Sequence, residues 1–500
     1  MKYFSRLSFL FSTCFVVCVS ISSAAENPAE NKPKEGPELK VVNLTVYPAP
    51  ITRPAMKYRL LPRVADQTPG NAALLYDTIF IRIAEEDGIR DGQSRDLKDE
   101  KEKEKYFTNA DKLSNWLETP LSELPKDEIR KILDNVQPWF MEYAEMASHR
   151  IDCDWDLPTR EMSDPFEMRL PELYRARSLA RILAMKARLS LAEGKPDDAL
   201  KTLQIGFALS QQIGKGKMLV VNYLVANSLA NMMGDQLLDL TQLKDAPNLY
   251  WSLSNLPHPF LNYRDAVELE ELGFERLTCE LQEAKKGQHS PEQWQKLGES
   301  LIDKINSEIV KLADYTKIQH KEKYDAKKTL EDYYPQAQEY LINLGWPKKE
   351  IQSMAPAQVV LLSGAEVWKE IHDENTKWLG ISYSQWPSNL REHYEDLVKD
   401  YKQLPLVEFL PAIGAIARAQ ARTEKQLESL RLIEAIRLYA FSHNGKLPGT
   451  LDDIKEVPVP ANPMTGKPFP YLLEGDTAVL MADGDPDMRA NYEYRIKIAK

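Results

Sequence analysis

Cysteine is scarce in this chain, four among 500 residues. Cys14 and Cys18 lie in an apolar stretch at the very start, which leaves Cys153 and Cys279 for the rest. That excludes a disulfide-stapled scaffold and allows one bridge, Cys153 to Cys279, in an oxidising compartment. Cys153 stands between Asp152 and Asp154, where neighbouring negative charge disfavours a thiolate, so a catalytic nucleophile is not expected there. Histidine is nearly as rare: His149, His258, His289, His320, His372, His393 and His443. None stands three or four residues from another, and no Glu precedes a His by three. Helical zinc pairs and the carboxylate–histidine di-iron pattern are therefore excluded. Glycine, 21 against 32 Pro, leaves little for phosphate-cradling loops, and none is found. Gly380 to Ser384 lacks the second glycine of a nucleophile elbow. Basic residues are also short, 64 against 75 acidic, a net charge of −11, which argues against nucleic acid as a partner. No cofactor is implied. After the first 25 residues no apolar run is long enough to span a bilayer, since Leu406 to Ala421 carries Glu408, Arg418 and Gln420.

What remains is the composition of an ordinary globular protein, 43% hydrophobic and 28% charged, and a length that allows two or three domains. Residues 1–25 read as a secretory signal. Lys2 and Arg6 precede an apolar run from Leu7 to Ile21, and Ser23-Ala24-Ala25 supplies small residues for cleavage. The mature protein is thus expected to be exported, either to the periplasm and cell envelope or beyond, and to carry no transmembrane segment. Residues 26–40 have prolines and no apolar pattern, as expected of a flexible leader. Val42, Leu44 and Val46 then alternate with polar residues as a short strand, and Pro48, Pro50, Pro54 and Pro62 impose an extended, wrapping path.

From there to about residue 330 the pattern is helical. Ile129, Ile132, Val136, Phe140 and Tyr143 share one face, and so do Tyr263, Val267, Phe274, Leu277 and Leu281. The second stripe ends at Lys285-Lys286-Gly287, and Ser290-Pro291-Glu292-Gln293 opens the next helix, which uses Trp294, Leu297, Leu301 and Ile305. Glu85 to Lys105 is a mixed-charge run expected to be solvated. A second helical region occupies 331–425. The last helix, from about Leu406 to His443, stops at Asn444-Gly445. Composition then shifts to turns and three strands, Phe469 to Leu473, Thr477 to Met481 and Tyr492 to Ile498. The expected fold is mainly α, an irregular helical-hairpin (TPR-like) array or bundle over 41–330 and 331–425. A small C-terminal α+β module follows over 426–500, made of a long helix and a three-stranded antiparallel sheet.

Three resemblances bear on this. Ala180 to Ile213 resembles one tetratricopeptide hairpin, with Ala187, Gly194, Ala199, Leu203 and Gly206 where two closely crossing helices need small or apolar residues. The stretch from Gln426, with Tyr439, Asn444-Gly445-Lys446-Leu447-Pro448 and the turn at Asn462-Pro463, resembles the globular end of type II secretion pseudopilins. Those proteins carry a membrane-embedded helix at the chain start, and this module lies at the other end, so filament assembly is not implied. Over most of its length the chain is similar to a group of secreted α-helical proteins of planctomycete-like bacteria. Pro69-Gly70-Asn71-Ala72-Ala73, Leu256-Pro257-His258-Pro259 and Pro463-Met464-Thr465-Gly466-Lys467-Pro468-Phe469 carry that similarity. It implies fold and location and gives no mechanism.

Few residues suggest chemistry. Asp483, Asp485 and Asp487 alternate as calcium ligands do, but Pro486, Met488 and Tyr494 break the EF-hand pattern, so a polar turn is the competing reading. Glu268, Glu271 and Glu275 are either a cation site or a solvated acidic face. Tyr250, Trp251, His258 and Phe260 either line a binding groove or pack a corner between helical pairs. The expected function is a non-enzymatic interaction or scaffold protein of the cell envelope, with other envelope or periplasmic proteins as partners. Two alternatives stand: an envelope hydrolase or carbohydrate-processing accessory with paired carboxylates, and a secretion- or pilus-associated component.

Overall fold

The structure, a computed structural model, describes residues 39–86, 112–135, 138–157, 170–215, 219–316, 323–387, 406, 413–486 and 488–499. The signal, the leader as far as residue 38, most of the run from Glu85 to Lys105, and Asp487 lie outside the described residues.

The two ends of the chain meet in one sheet. Its members, among strands β1 (Lys40–Val46), β2 (Thr68–Asn71), β3 (Arg150–Asp152), β4 (Tyr471–Glu474), β5 (Thr477–Ala482) and β6 (Tyr492–Ile498), run in the order β1-β6-β5-β4. Strands β4, β5 and β6 are antiparallel, as the alternation of Tyr492, Tyr494, Ile496 and Ile498 led one to expect. The β4–β5 turn places Gly475 at a φ of 62°, the sign a two-residue hairpin turn needs at its first position. The expected three-stranded sheet is corrected by one strand. β1 lies parallel to β6, with Leu44 opposite Ile496 and Val46 opposite Ile498, and covers what would be the open edge of the module. Sequence alternation identifies a strand but does not say which distant strand it joins. Strands β2 and β3 form a separate parallel pair.

The first body of helices buries the largest core. It comprises α1 (Ala72–Glu86), the helical segment 112–118, α2 (Lys126–Asn135), α3 (Pro138–Ser148), α4 (Pro171–Ala192), α5 (Pro196–Ile213) and α6 (Val220–Thr241). Helices α4 and α5 form the hairpin read from sequence. Gly194 takes a φ of 72° at the end of α4, and Pro196 opens α5 with its fixed φ. Helix α6 lies directly against α5. A Cβ on Gly206 would stand 2.2 Å from the Met233 sulfur, so only glycine admits this approach. Ser210 Oγ donates to the Ala226 carbonyl across the same contact at 2.7 Å.

After the short α7 (Tyr250–Ser254), a second core is built by α8 (Arg264–Leu277), α9 (Cys279–Lys286), α10 (Pro291–Thr316), α11 (Ala326–Asn343), α12 (Lys348–Ser353) and α13 (Pro356–Thr376). The last helix, α14 (Ile413–Ser442), belongs to two cores at once. Its first half packs Ile413, Ile416, Ala417, Leu427 and Leu430 into the first helical body. Its second half packs Leu432, Ile433 and Ile436 under the sheet, against Leu44, Leu480 and Ile496. At its end Asn444 and Gly445 both take positive φ, and the Gly445 N–H reaches back to the Ala440 carbonyl, closing the helix where the sequence indicated. None of the helices among the described residues is long and apolar enough to cross a membrane.

Candidate functional site

Helix α6 is largely buried and carries polar residues at fourfold spacing, Asn227, Asn231 and Asp235, with Ser228 beside them. Four-residue steps put these on one face. That face forms the floor of a cleft of about 540 Å³, walled by the segment 112–118 (Leu117, Glu118), by Arg181 of α4 and by Arg422 of α14. A space of this size lies within the range of small-ligand sites, about 300–1,000 Å³.

The polar groups around the cleft are fixed from behind. Asn227 is 4% exposed, and its amide N–H donates to the Tyr223 carbonyl, which leaves its Oδ1 oriented away from that bond. Gln426 of α14 donates from Nε2 to the Asn231 carbonyl at 3.1 Å and to Asp235 Oδ1 at 2.7 Å. Three amide oxygens, Asn227 Oδ1, Asn231 Oδ1 and Gln426 Oε1, are closed to solvent and accept no hydrogen bond from the described residues. A buried acceptor left unpaired costs about 1–3 kcal/mol, and two of the three, on Asn227 and Asn231, belong to residues that line the cleft.

Asp235 opens on solvent at the mouth of this concave surface, but the walls around it displace much of its hydration. That desolvation pushes its carboxyl up to about 6, with the negative charge of Asp239 adding to the effect, while Lys40 and the Gln426 bond oppose it. Behind the floor, Arg188 is 4% exposed. It donates to Gln236 Oε1 at 3.1 Å, to the Asp239 carboxylate and to the Thr119 carbonyl, tying α4, α6 and the segment after residue 118 together. Arg422 pairs with Asp485, whose second oxygen accepts at 3.0 Å, so the terminal module reaches the rim of the cleft.

The residues singled out in the sequence lie elsewhere. Tyr250 and Phe260 are both 2% exposed and belong to different cores. Tyr250 packs edge-on against Trp251 and donates its hydroxyl to the Pro458 carbonyl, and Phe260 packs on Phe207. The aromatic set is thus a packed corner rather than a shared groove. His258 sits at its edge, half-exposed, with Nδ1 3.4 Å from Glu424 and 3.7 Å from Glu428 on α14. The bond to Glu424 holds the imidazole above its ordinary pKa. Glu424 is also occupied by the Phe260 N–H at 2.5 Å, and Glu428 by Arg431 at 2.8 Å, so the cluster pins the corner to the long helix.

In the loop that begins at Asp483, the chain supplies its own cation. The Lys425 ammonium, on a residue 2% exposed, donates to the carbonyls of Asp483 and Ala490 and to Asn491 Oδ1. Burial lowers this amine to about 8. Asp485, buried, is taken by Arg422. Asp483 and Asp485 therefore face Lys425 and Arg422 in the place where the alternating carboxylates suggested calcium. Of the acidic trio on α8, Glu271 stands 3.3 Å from His372, and burial raises its carboxyl. No group of three or more ligating side chains able to hold a metal occurs among the described residues. Cys153 is buried in the first core and Cys279 is exposed at the start of α9, and both thiols are free.

Comparison of the chain with protein-family models, with curated proteins and with solved structures gives no match. The α6 stripe was not among the residues the sequence pointed to. Its signal was available in VVNYLVANSLANMMGDQLLDLT, where Asn227, Asn231, Asp235 and Asp239 recur every fourth residue in a helix rich in Leu, Val, Ala and Met.

Proposed function

We propose that this chain is an exported binding protein of the cell envelope that holds a small ligand, without transforming it, in the cleft between α4, α6, α14 and the segment 112–118. The single observation behind the reading is the cleft of about 540 Å³ itself, whose lining gathers Asn227, Ser228, Asn231 and Asp235 of α6 with Glu118, Arg181 and Arg422 on one concave surface. Asn227 is held by its own amide N–H on the Tyr223 carbonyl, Asp235 by Gln426 and Arg422 by Asp485. Side chains fixed in this way need no reordering when a ligand enters, which is the condition for tight recognition by a preformed site. The export signal read at 1–25 supports a location outside the cytoplasm, and the bridging of two cores by α14 backs one wall of the cleft.

The test is native mass spectrometry of the mature protein after incubation with the soluble extract of its own envelope and extensive washing. A retained small-molecule adduct is expected. Ser228→Trp, a change at an exposed position on the cleft floor, fills the space and should abolish the adduct while circular dichroism stays unchanged. An adduct absent from both proteins, or equally present in both, overturns the reading.

A further inference from the structure

We infer that the cleft, if it binds as proposed above, takes a short peptide with both termini free, its ammonium at one end of the cleft and its carboxylate at the other. The charges of the lining are separated along α6. Helices α4 and α6 run parallel, because each is antiparallel to α5: Gly206 meets Met233 while Ser210 meets Ala226, and α4 turns back into α5 at Gly194. Arg188 of α4 reaches Gln236 and Asp239, so Arg181, seven residues earlier, stands about 10 Å back along the helix axis, level with Ser228 and Asn231. Asp235 lies at the opposite end, and Glu118 with it, since the Thr119 carbonyl next in the chain accepts from Arg188. Arg181 and Glu118 make no hydrogen bond or ion pair among the described residues. Arg422 is neutralised by Asp485, and Asp235 accepts from the uncharged amide of Gln426.

The charge open to a ligand is therefore one guanidinium at one end and two carboxylates at the other. An anion that satisfies Arg181 meets the repulsion of Glu118 and Asp235, and a cation meets the reverse. A neutral ligand leaves both ends to water. A ligand of opposite polarity satisfies both, and a separation of about 10 Å is that between the termini of an extended tripeptide, at about 3.3–3.6 Å per residue. Its ammonium has three donors for the two carboxylates, and its carboxylate fits the guanidinium fork. Between the ends, the exposed Ser228 hydroxyl suits a peptide amide, and Leu117, Leu224 and Met232 offer apolar wall to side chains.

The experiment is isothermal titration of the full mature protein at low ionic strength and pH 7.5, above the value of about 6 to which the Asp235 carboxyl is raised. The probes are four forms of tri-alanine: free, N-acetylated, C-amidated, and blocked at both ends. They share one backbone and differ in charge. The free peptide is expected to bind, and each single block to weaken it about tenfold, the loss of roughly one charge-assisted hydrogen bond. Ser228→Trp should abolish binding. Arg181→Gln should lower the free peptide to the affinity of the amide and leave the amide unchanged, and Glu118→Gln with Asp235→Asn should do the same for the acetylated form. A merely structural loss would weaken all four forms together. Equal binding of the four forms overturns the inference, as does an Arg181→Gln change that weakens free and amidated peptide by the same factor, or no binding of any form up to millimolar concentration. In each case the envelope-extract adduct of the preceding section decides the broader binding reading on its own.

Discussion

Arg437 and Glu434 lie three residues apart on α14, at 0% and 1% exposure, with the guanidinium Nη1 2.9 and 2.8 Å from the two carboxylate oxygens. The same guanidinium donates to the carbonyls of Tyr47, Pro247 and Ala246, and the Glu434 carbonyl accepts from Asn248. One arginine thus ties the segment after β1, the loop before α7 and the last helix together. A buried pair of this kind is weak as a source of net stability but severe to break, since either partner alone is an enclosed charge.

Arg437→Met is therefore expected to cost about 3–5 kcal/mol, measured by urea unfolding. The double change Glu434→Gln with Arg437→Met should recover part of that loss, because no bare carboxylate is left behind. If the double variant is as unstable as the sum of the two single changes, the two residues act independently and the enclosed-charge account fails.

Contact between α5 and α6 gives a second prediction. Gly206→Ala places a methyl 2.2 Å from the Met233 sulfur and 2.9 Å from its Cγ. Overpacking of this order costs about 1–3 kcal/mol. Met233→Ala alone opens a cavity, but combined with Gly206→Ala it should be less damaging than additivity requires. A double-mutant cycle with zero coupling energy would show that the helices are not in this contact.

How much of this could be read in advance differs by element. The hairpin at Gly194, the stop at Asn444-Gly445 and the three C-terminal strands depend on neighbours within a few residues, and sequence carries them. The pairing of β1 with β6 does not, because it joins residue 40 to residue 492 and any exposed strand edge offers the same hydrogen bonds. At Asp483 and Asp485 a cation loop and a polar turn competed, and the structure brings the Lys425 ammonium, from a helix nearly sixty residues earlier, onto the Asp483 carbonyl. The aromatic set was open between a groove and a corner, and the burial of Tyr250 and Phe260 in different cores is what separates the two. The α6 stripe escaped notice because asparagine is neither charged nor chemically reactive, and only the burial of its neighbours gives it meaning.

The two thiols supply a third prediction. Cys153 is 6% exposed in the first core, and burial pushes its thiol up to about 12, whereas Cys279 is exposed. Thiolate fraction and access both govern alkylation. Under native conditions at pH 8, iodoacetamide should modify Cys279 alone, and Cys153 should react only after denaturation. Peptide mass mapping that finds neither thiol accessible until reduction would instead establish a bond between them.

Lys425 connects the terminal module to α14, and its titration tests that connection. Burial lowers its amine from 10.5 to about 8 in the folded protein, while Asp485 and Asp483 partly restore it. Between about pH 8 and 10.5 the unfolded chain holds more protons at this site than the folded one, so stability rises with pH across that window. Below about pH 8 both states carry the charge and the full desolvation cost is present. At 1.36 kcal/mol per pKa unit the rise is at most about 3 kcal/mol. Tyrosines and other lysines titrate in the same range, so the comparison is with Lys425→Met, which lacks this amine and keeps the rest. Lys425→Met also leaves the carbonyls of Asp483 and Ala490 without their donor, and it should be less stable than the parent at every pH in the window. The gap between the two proteins should widen from pH 8 to 10.5, because only the parent gains by shedding a proton that its folded state holds poorly. Unfolding curves that run parallel over that interval would mean the ammonium is not enclosed beneath the terminal loop, and the loop would need another source of order.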